Sequence, residues 1–256
     1  MPDLDTSLHL DMLRDFRAEK ITLLHAVERG YATRADLEKA VRSGALAAEA
    51  GTNKSRFLKV ADLEKLFGKP RGDIYGMHWG DPEHLAPLAF IKNHYLLPLI
   101  EKEFTGVEIG PGGGRWTQYL KKMKRLYVVD FYQEMFAEFS RHFTAANIIP
   151  IKNNGSDFPG IGDEEVDFLF SFGVFVHFEL PLIESYLRNM QRVLKHGAKL
   201  LIHYSDKRKI MAALNPGFGV NDPDTMRELV TNCGYSVVQE DTTTMWHSSI
   251  IIFMRP

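Results

Sequence analysis

From about residue 105 onward, short apolar runs alternate with stripes of apolar residues at helical spacing. The runs that predict strands are Val107–Ile109, Leu126–Val129, Ile148–Ile151, Val166–Ser171, Lys199–Tyr204, Tyr235–Gln239 and Ser248–Met254. The stripes between them predict amphipathic helices, including one that carries Met135 and Phe139 and one that ends at Gly197. Strands that alternate with helices indicate a doubly wound α/β sheet.

The first 72 residues follow a different pattern, in which apolar residues recur at helical spacing without intervening strand signals. Leu8, Met12 and Phe16 predict one helix. Thr33 is a predicted N-cap for another, with Asp36 in its first turn. We therefore expect a helical region over residues 1–72 that either caps the sheet edge or forms a homodimer contact.

A break in the helical pattern at Gly68–Asp73 predicts a linker. Residues 73–104 are then predicted to form a linker loop and a helix over Pro87–Ile100, which Pro98 bends or ends. The remaining residues, 105–256, are predicted to form the sheet domain.

Composition limits the kinds of partner that this chain could have. Its 31 basic and 33 acidic residues give a net charge of −2, so neither nucleic acid nor an anionic membrane is an expected partner. The longest apolar run, Phe168–Phe178, is too short to cross a bilayer as a helix. Cys233 is the only cysteine, and no signal segment opens the sequence, so we expect a cytoplasmic protein.

The most informative stretch is a glycine-dense turn after the first predicted strand. Gly110, Gly112 and Gly114 allow a sharp turn and a close approach to a ligand, because glycine has no Cβ. Exposed N–H groups and the dipole of the following helix would favour an anionic group there. This pattern predicts a loop that binds a nucleotide-type cofactor, with a tight surface turn as the alternative.

The spacing of the turn distinguishes two cofactor classes. In the dinucleotide fingerprint G-x-G-x-x-G/A, the third small residue allows close packing of helix and strand. Counting from Gly110, that position is Arg115, which is too bulky. The spacing is instead Glu-x-Gly-x-Gly-x-Gly, with Glu108 two residues before Gly110. It resembles the first motif of the class I, Rossmann-like S-adenosylmethionine-dependent methyltransferases.

This resemblance extends over about 150 residues and implies a seven-stranded, mostly parallel sheet whose last strand is antiparallel. It implies S-adenosyl-L-methionine as the cofactor. Asp130 ends the second strand, 20 residues after Gly110. By resemblance it would bind the ribose hydroxyls, the alternative being a structural aspartate at a strand end. Glu108 would help to hold the methionyl amino group.

Later segments match the family in order and spacing. Asn153–Asp157 resembles the segment that contacts adenine, and Ser171–Phe178 resembles the segment that runs beneath the cofactor. The full set of residues that we expect at the cofactor is Glu108, Gly110, Gly112, Gly114, Arg115, Trp116, Asp130, Phe131, Gly155, Ser156, Asp157, Ser171 and Phe172. A plain polar loop remains the alternative for Asn153–Asp157.

Histidines at the carboxyl ends of strands are the candidate catalytic bases, because imidazole titrates near neutral pH. His177 follows the fourth strand, His203 lies at the end of the fifth, and His247 precedes the last. His78, beside Trp79, is a further candidate; Trp79 and Trp246 could contact a substrate. For each histidine, a structural role is the alternative, and no pair has convincing metal-ligand spacing, so no metal is expected.

The sequence therefore predicts a methyltransferase that acts on a small molecule or glycan, most simply at oxygen. The proline-rich and amide tetrapeptides that mark methylation of base or glutamine amino groups do not follow the fourth strand. Two other functions stay open: a nicotinamide-dependent oxidoreductase, and a non-catalytic binding module on a methyltransferase scaffold.

Overall fold

The computed structural model describes residues 20–23, 26, 31–50, 56–67, 74–83 and 85–256. These residues belong to two compact units, Met1–Trp79 and Gly80–Pro256. The helix predicted from Leu8, Met12 and Phe16 and the linker predicted at Gly68–Asp73 lie outside the described residues.

The described part of the N-terminal unit contains a small antiparallel sheet with the order β1-β3-β2. Its strands are β1 (Lys20–Thr22), β2 (Ala48–Ala50) and β3 (Arg56–Lys59). The expectation of a purely helical region was wrong in this respect. Strands of three or four residues are too short to show the alternation of period two by which a strand is recognised in a sequence.

Two helices of this unit agree with the predicted pattern. They are α1 (Arg34–Arg42) and α2 (Val60–Phe67). The predicted N-cap of α1 is confirmed, since the Thr33 hydroxyl accepts a hydrogen bond from the backbone N–H of Asp36 at 3.2 Å.

The second unit begins with a helix that changes its winding before it ends. Helix α3 (Ala86–Ile91) continues as a π-helical turn over Lys92–Leu96 and a 3-10 turn over Leu97–Leu99. The predicted stop at Pro98 is confirmed, because proline has no N–H to continue the helical ladder and Ile100 is extended.

A seven-stranded sheet forms the centre of this unit, with the order β6-β5-β4-β7-β8-β10-β9. Its strands are β4 (Thr105–Ile109), β5 (Arg125–Asp130), β6 (Ile148–Lys152), β7 (Val166–Ser171), β8 (Leu194–Ser205), β9 (Ser236–Asp241) and β10 (Ser248–Met254). Strands β4 to β8 pair in parallel, and β10 is antiparallel to both β8 and β9. This confirms the predicted α/β class and the antiparallel last strand.

Helices cover both faces of the sheet. Besides α3, the helices of this unit are α4 (Thr117–Leu120), α5 (Gln133–Phe139), α6 (Leu180–Val193), α7 (Ile210–Ala213) and α8 (Pro223–Asn232). Buried residues of α6 and α8 pack with Val107 and Leu169 on one face. Those of α3, α4 and α5 pack with Phe168 and Phe170 on the other. Adjacent strand residues thus point to opposite layers of one core.

Two helix boundaries differ from the predictions. Helix α4 is a single turn, so the expected dipole at the glycine turn contributes little. The helix predicted to end at Gly197 ends at Val193 instead, because Leu194 already pairs with Val166. The N–H of Gly197 also bonds to the carbonyl of Arg255, beyond β10.

Strand β10 should be sensitive to the loss of side-chain volume, because it lies between β8 and β9 and is buried. Ile251 is fully buried in the core. We expect Ile251→Ala to lower the free energy of unfolding by about 2–5 kcal/mol, through lost burial and the cavity left behind. Val238→Ala, on exposed β9, should change it by less than about 0.5 kcal/mol. Urea denaturation of both variants measures this; similar values for the two would contradict it.

Candidate functional site

The strand order reverses between β4 and β7, which creates a crevice at the carboxyl edge of the sheet. Ile109 at the end of β4 pairs with Val129 of β5 on one side and with Ser171 of β7 on the other. The segments that follow these three strands therefore emerge side by side. In open α/β sheets this switch point is where ligands bind.

The glycine turn after β4 has a backbone that other residues would strain. Gly110, Gly112 and Gly114 have φ values of 67°, 58° and 101°. A Cβ at Gly110 would lie 2.2 Å from Val174 Cγ2, and one at Gly114 would lie 2.0 Å from Phe143 Cε2. Glycine is thus required here by both conformation and close approach.

Glu108 is buried beside this turn. The hydroxyl of Thr117, in α4, donates a hydrogen bond to Glu108 Oε2 at 2.5 Å. Burial raises the pKa of the Glu108 carboxyl to about 8, although the Thr117 hydrogen bond and the charge of Arg115 act in the opposite direction.

Arg115 is also buried, and burial lowers its pKa to about 10. Its Nη1 donates to the Gly80 carbonyl at 3.3 Å, and its guanidinium lies 5.9 Å from the centroid of the Trp116 ring and 5.7 Å from that of Phe172. Within the described residues it makes no ion pair. Trp116 packs on Phe172 with ring centroids 4.6 Å apart, a core position for this predicted cofactor residue.

Asp130 ends β5 as predicted, and its side chain is buried. Its Oδ1 accepts the backbone N–H of Tyr132 at 2.9 Å, and the carboxylate has no ion pair among the described residues. Burial raises its pKa to about 7 against the lowering effect of the backbone hydrogen bonds. The neighbouring Phe131 is half-buried, with the Lys152 ammonium 5.3 Å from its ring centroid.

The loop after β6 forms its own hydrogen-bond network. The N–H of Asn154 donates to Asp157 Oδ1 at 2.7 Å, and that of Gly155 donates to Asn153 Oδ1 at 3.3 Å. The N–H of Ser156 bonds to Asn154 Oδ1, and its hydroxyl lies 2.8 Å from that of Ser185. The groups predicted to face adenine thus already have partners within the protein.

After β7, the chain is tied to the neighbouring strands. The buried Ser171 hydroxyl donates to the Ile109 carbonyl at 3.1 Å. Phe172 stacks on His203, with ring centroids 4.0 Å apart and planes 9° apart. These contacts connect the predicted segment beneath the cofactor to β4 and β8.

Both ring nitrogens of His203 are engaged. Nδ1 accepts the backbone N–H of Gly173 at 3.1 Å, so the proton of the neutral ring must be on Nε2, which lies 2.5 Å from the hydroxyl oxygen of Ser248. Burial, followed by the charge of His247, lowers the pKa of His203 well below its usual value. A neutral imidazole with both nitrogens bonded is suited to a structural role and poorly suited to act as a base.

His177 has the opposite arrangement. Its Nδ1 lies 2.7 Å from the carbonyl oxygen of Gly217 and must therefore carry the proton that it donates. In the neutral ring this leaves the lone pair on Nε2, which has no hydrogen-bond partner among the described residues. Burial lowers the pKa of His177, which keeps the imidazole in its basic form near neutral pH.

The third candidate, His247, lies near both of these histidines. Its ring centroid is 5.9 Å from that of His203 and 5.4 Å from that of Phe218, which is itself 5.5 Å from His177. Its Nδ1 is buried without a partner in the described part of the chain. The structure thus connects the three histidines through ring contacts, from His177 to Phe218, from Phe218 to His247 and from His247 to His203.

The remaining candidates belong to other parts of the chain. His78 and Trp79 belong to the N-terminal unit, where Trp79 is exposed and contacts Tyr75 edge to face. Trp246 is exposed just before β10. In the described ranges, no group of three or more His, Cys, Asp or Glu side chains is placed to hold a metal ion.

Sequence reasoning missed Gly217 and Phe218, which contact the histidines. They lie in a segment without apolar periodicity, and only its turn residues after β8 hinted at a loop at this edge. It named Asn153 only as part of the Asn153–Asp157 segment; this residue is buried, its amide donates to the Tyr186 hydroxyl oxygen at 3.1 Å, and its backbone N–H bonds to the Asp130 carbonyl.

Comparisons with known proteins agree with this geometry. Residues 107–202 match the family described as "Methyltransferase domain". No curated protein sequence matches the chain. Separately, a helix long and apolar enough to cross a membrane is not found among the described residues.

Solved structures with a similar fold include three proteins of low sequence identity. A SAM-dependent methyltransferase from Aquifex aeolicus is 21% identical, with a TM-score of 0.53, covering 69% of this chain and 100% of that one. A protein from Pyrococcus horikoshii OT3 is 16% identical, with a TM-score of 0.56 and coverage of 70% and 96%. A methyltransferase from Mesorhizobium loti is 11% identical, with a TM-score of 0.53 and coverage of 64% and 97%.

The family match includes the glycine turn, Asp130 and β7, and the strand order is that of the same fold class. Residues 107–202 thus match the methyltransferase domain family, and the Gly80–Pro256 unit has the class I, Rossmann-like fold of S-adenosylmethionine-dependent methyltransferases.

Proposed function

We propose that this protein transfers the methyl group of S-adenosylmethionine to a hydroxyl group of a small molecule or glycan, with His177 as the general base. The observation that carries this proposal is the hydrogen bond from His177 Nδ1 to the Gly217 carbonyl, because it leaves Nε2 free to accept a proton. The site lies at the carboxyl edge of the sheet, where the cofactor of this family is implied to bind.

The residues present suit this cofactor. Asp130 offers a buried carboxylate without an ion pair, which can accept two ribose hydroxyls. Arg115 offers a buried guanidinium without an ion pair in the described residues, which suits the methionyl carboxylate. Glu108 is placed for the amino group. Ser156 and Asp157 would reach adenine only by exchanging the hydrogen bonds that they now make within their loop.

The cofactor supplies a methyl group that its sulfonium charge already activates. The protein must align the acceptor and exclude water, which can contribute on the order of 7–11 kcal/mol. His177 would take the proton of the acceptor hydroxyl at Nε2, a contribution of roughly 10²–10⁴-fold. Phe172 and Phe218 provide apolar walls on this side of the site.

Two other functions have weaker support. A nicotinamide-dependent oxidoreductase would require a small residue where Arg115 stands. A non-catalytic binding module would have no need for an imidazole that is oriented by one nitrogen and has no hydrogen-bond partner for the other among the described residues. We also retain a cytoplasmic location and an N-terminal cap or homodimer contact as proposals.

The ribose role of Asp130 predicts that binding depends on pH. With a pKa of about 7 in the free protein, Asp130 loses its charge as the pH falls. We expect affinity for 5′-methylthioadenosine, which keeps the ribose but lacks the titrating amino acid group, to fall about tenfold from pH 8 to pH 6. Isothermal titration calorimetry measures this.

Asp130→Asn should weaken binding and remove the pH dependence. The exposed Asp163, which pairs with Arg192, provides the control, since Asp163→Asn should behave like the unmodified protein. Equal affinity in Asp130→Asn and in the unmodified protein at pH 8 would refute the ribose role.

The base role of His177 predicts a selective loss of turnover. His177→Ala should lower the rate of S-adenosylhomocysteine formation, with a panel of hydroxyl acceptors, by roughly 10²–10⁴-fold and keep cofactor affinity. Added imidazole should restore part of the rate. The exposed His196, at the opposite edge of the sheet, is the matched control. Unchanged turnover in His177→Ala would eliminate the base role.

A further inference from the structure

The segment after β8 forms a closed loop over the histidine cluster. The N–H of Lys207 donates to the carbonyl of Asn221 at 2.9 Å, so the two ends of the loop meet. We call residues 207–221 the capping loop. Compact loops whose ends are close together are frequently functional.

The inner side of the capping loop belongs to the proposed active site. Gly217 accepts the hydrogen bond that fixes the His177 ring, and Phe218 contacts both His177 and His247. Further along, the N–H of Gly219 donates to the Val176 carbonyl at 2.8 Å. A Cβ at Gly219 would lie 2.2 Å from the carbonyl oxygen of Phe178, so the loop backbone is pressed against the segment that carries the base.

The outer side of the same loop is apolar. Of ten large hydrophobic side chains exposed among the described residues, five lie on the capping loop or beside it. Ile210 and Leu214 are 74% and 76% exposed, and Trp246 is 72% exposed. We call these five residues the apolar lip: Ile210, Met211, Leu214, Val220 and Trp246.

Trp246 joins the lip through Lys209. The Lys209 ammonium, just before α7, donates to the carbonyl oxygens of Met245 at 2.9 Å and Ser248 at 2.6 Å. This holds the turn that carries Trp246 against the start of the helix that carries Ile210. Trp246 directly precedes His247, and Val220 lies two residues after Phe218, so both segments carry lip residues next to residues of the proposed site.

Charges near the lip are already paired. Lys207 lies 3.5 Å from the Asp222 carboxylate, and Arg208 pairs with Asp222 and Asp224. The exposed Glu179 accepts the N–H of Val220. The lip thus offers no uncompensated cation for a phosphate or carboxylate, and a large apolar surface beside a site is a mark of ligand binding.

We infer that the acceptor is an uncharged amphiphile, whose alkyl or aromatic portion lies on the apolar lip while its hydroxyl reaches His177. This inference rests on the proposed function and adds the chemical class of the acceptor. The lip would contribute affinity through burial of apolar surface. The capping loop, which contacts His177, would place the hydroxyl of the bound acceptor near that base.

Two glucosides test the inference on the full-length protein with S-adenosylhomocysteine present. Octyl β-D-glucoside, kept below its micelle concentration, has an alkyl chain, and methyl β-D-glucoside has the same head group without it. Titrations follow the indole resonances of Trp246 and the ring resonances of His177 by NMR. We expect the octyl compound to bind saturably and at least tenfold more tightly, with the same affinity reported by both probes.

Variants of exposed residues locate the binding surface without disturbing the core. Ile210→Ser with Leu214→Ser should weaken octyl glucoside at least tenfold. Val238→Ser is the matched control, since Val238 is 51% exposed on β9, away from the capping loop, and it should change nothing. Equal binding of the two glucosides, no effect of the double variant, or a Trp246 change without a His177 change would each overturn the inference.

If the lip instead binds a second copy of this chain or a membrane, the experiments give different results. Either result would also overturn the inference that the acceptor is an uncharged amphiphile. A self-interface would appear in sedimentation as a dimer that the double variant converts to monomers. A membrane surface would appear as binding to phosphatidylcholine vesicles without binding of monomeric octyl glucoside. Calorimetry with S-adenosylhomocysteine distinguishes failure of the proposed function from failure of the acceptor class. If S-adenosylhomocysteine does not bind, the proposed function fails. If it binds but the octyl and methyl glucosides bind equally, only the acceptor class fails.

Discussion

The close approach of Gly110 to Val174 connects the two halves of the site. Because a Cβ at Gly110 would lie 2.2 Å from Val174 Cγ2, the glycine turn after β4 and the segment after β7 can pack only with glycine at that position. The carbonyl of Val174 in turn accepts the N–H of His177. The close packing of the Val174 side chain on Gly110 thus brings the turn at the proposed cofactor next to the segment that carries the proposed base.

The same edge of the sheet concentrates buried charge-bearing groups. Burial raises the pKa of Glu108 and Asp130 and lowers that of Arg115, and none of the three makes an ion pair among the described residues. Unpaired buried charges are costly, and a core selected for stability alone would replace them. They are tolerated because two packed layers support the sheet beneath them. Such clusters are typical of sites in which a polar ligand completes the missing interactions.

The sequence predicted what depends on local pattern and missed what depends on distant contacts. Buried parallel strands are short apolar runs, so the ends of β4 and β5, which carry Glu108 and Asp130, could be placed from the sequence. The start of β8 could not, because Leu194 leaves the helical path only through its pairing with Val166. For the histidines, the sequence placed His177 and His203 at one edge but could not separate their roles. Those roles depend on which nitrogen each neighbour engages, and the neighbours lie 30 to 45 residues away.

Different parts of the chain form the two sides of the proposed site. Residues before β7 supply the groups suited to the cofactor, whereas the wall on the other side comes from the capping loop and the start of β10. A backbone hydrogen bond from Gly219 to Val176, which side-chain substitutions do not remove, holds the capping loop to the segment that carries His177. The start of β10 is held instead to the end of β8, where Ser248 pairs with Ser205. The outward side chains of the capping loop can therefore change without moving the base. A fold built this way can keep one cofactor site and one proton acceptor while its acceptor preference changes through a few exposed residues.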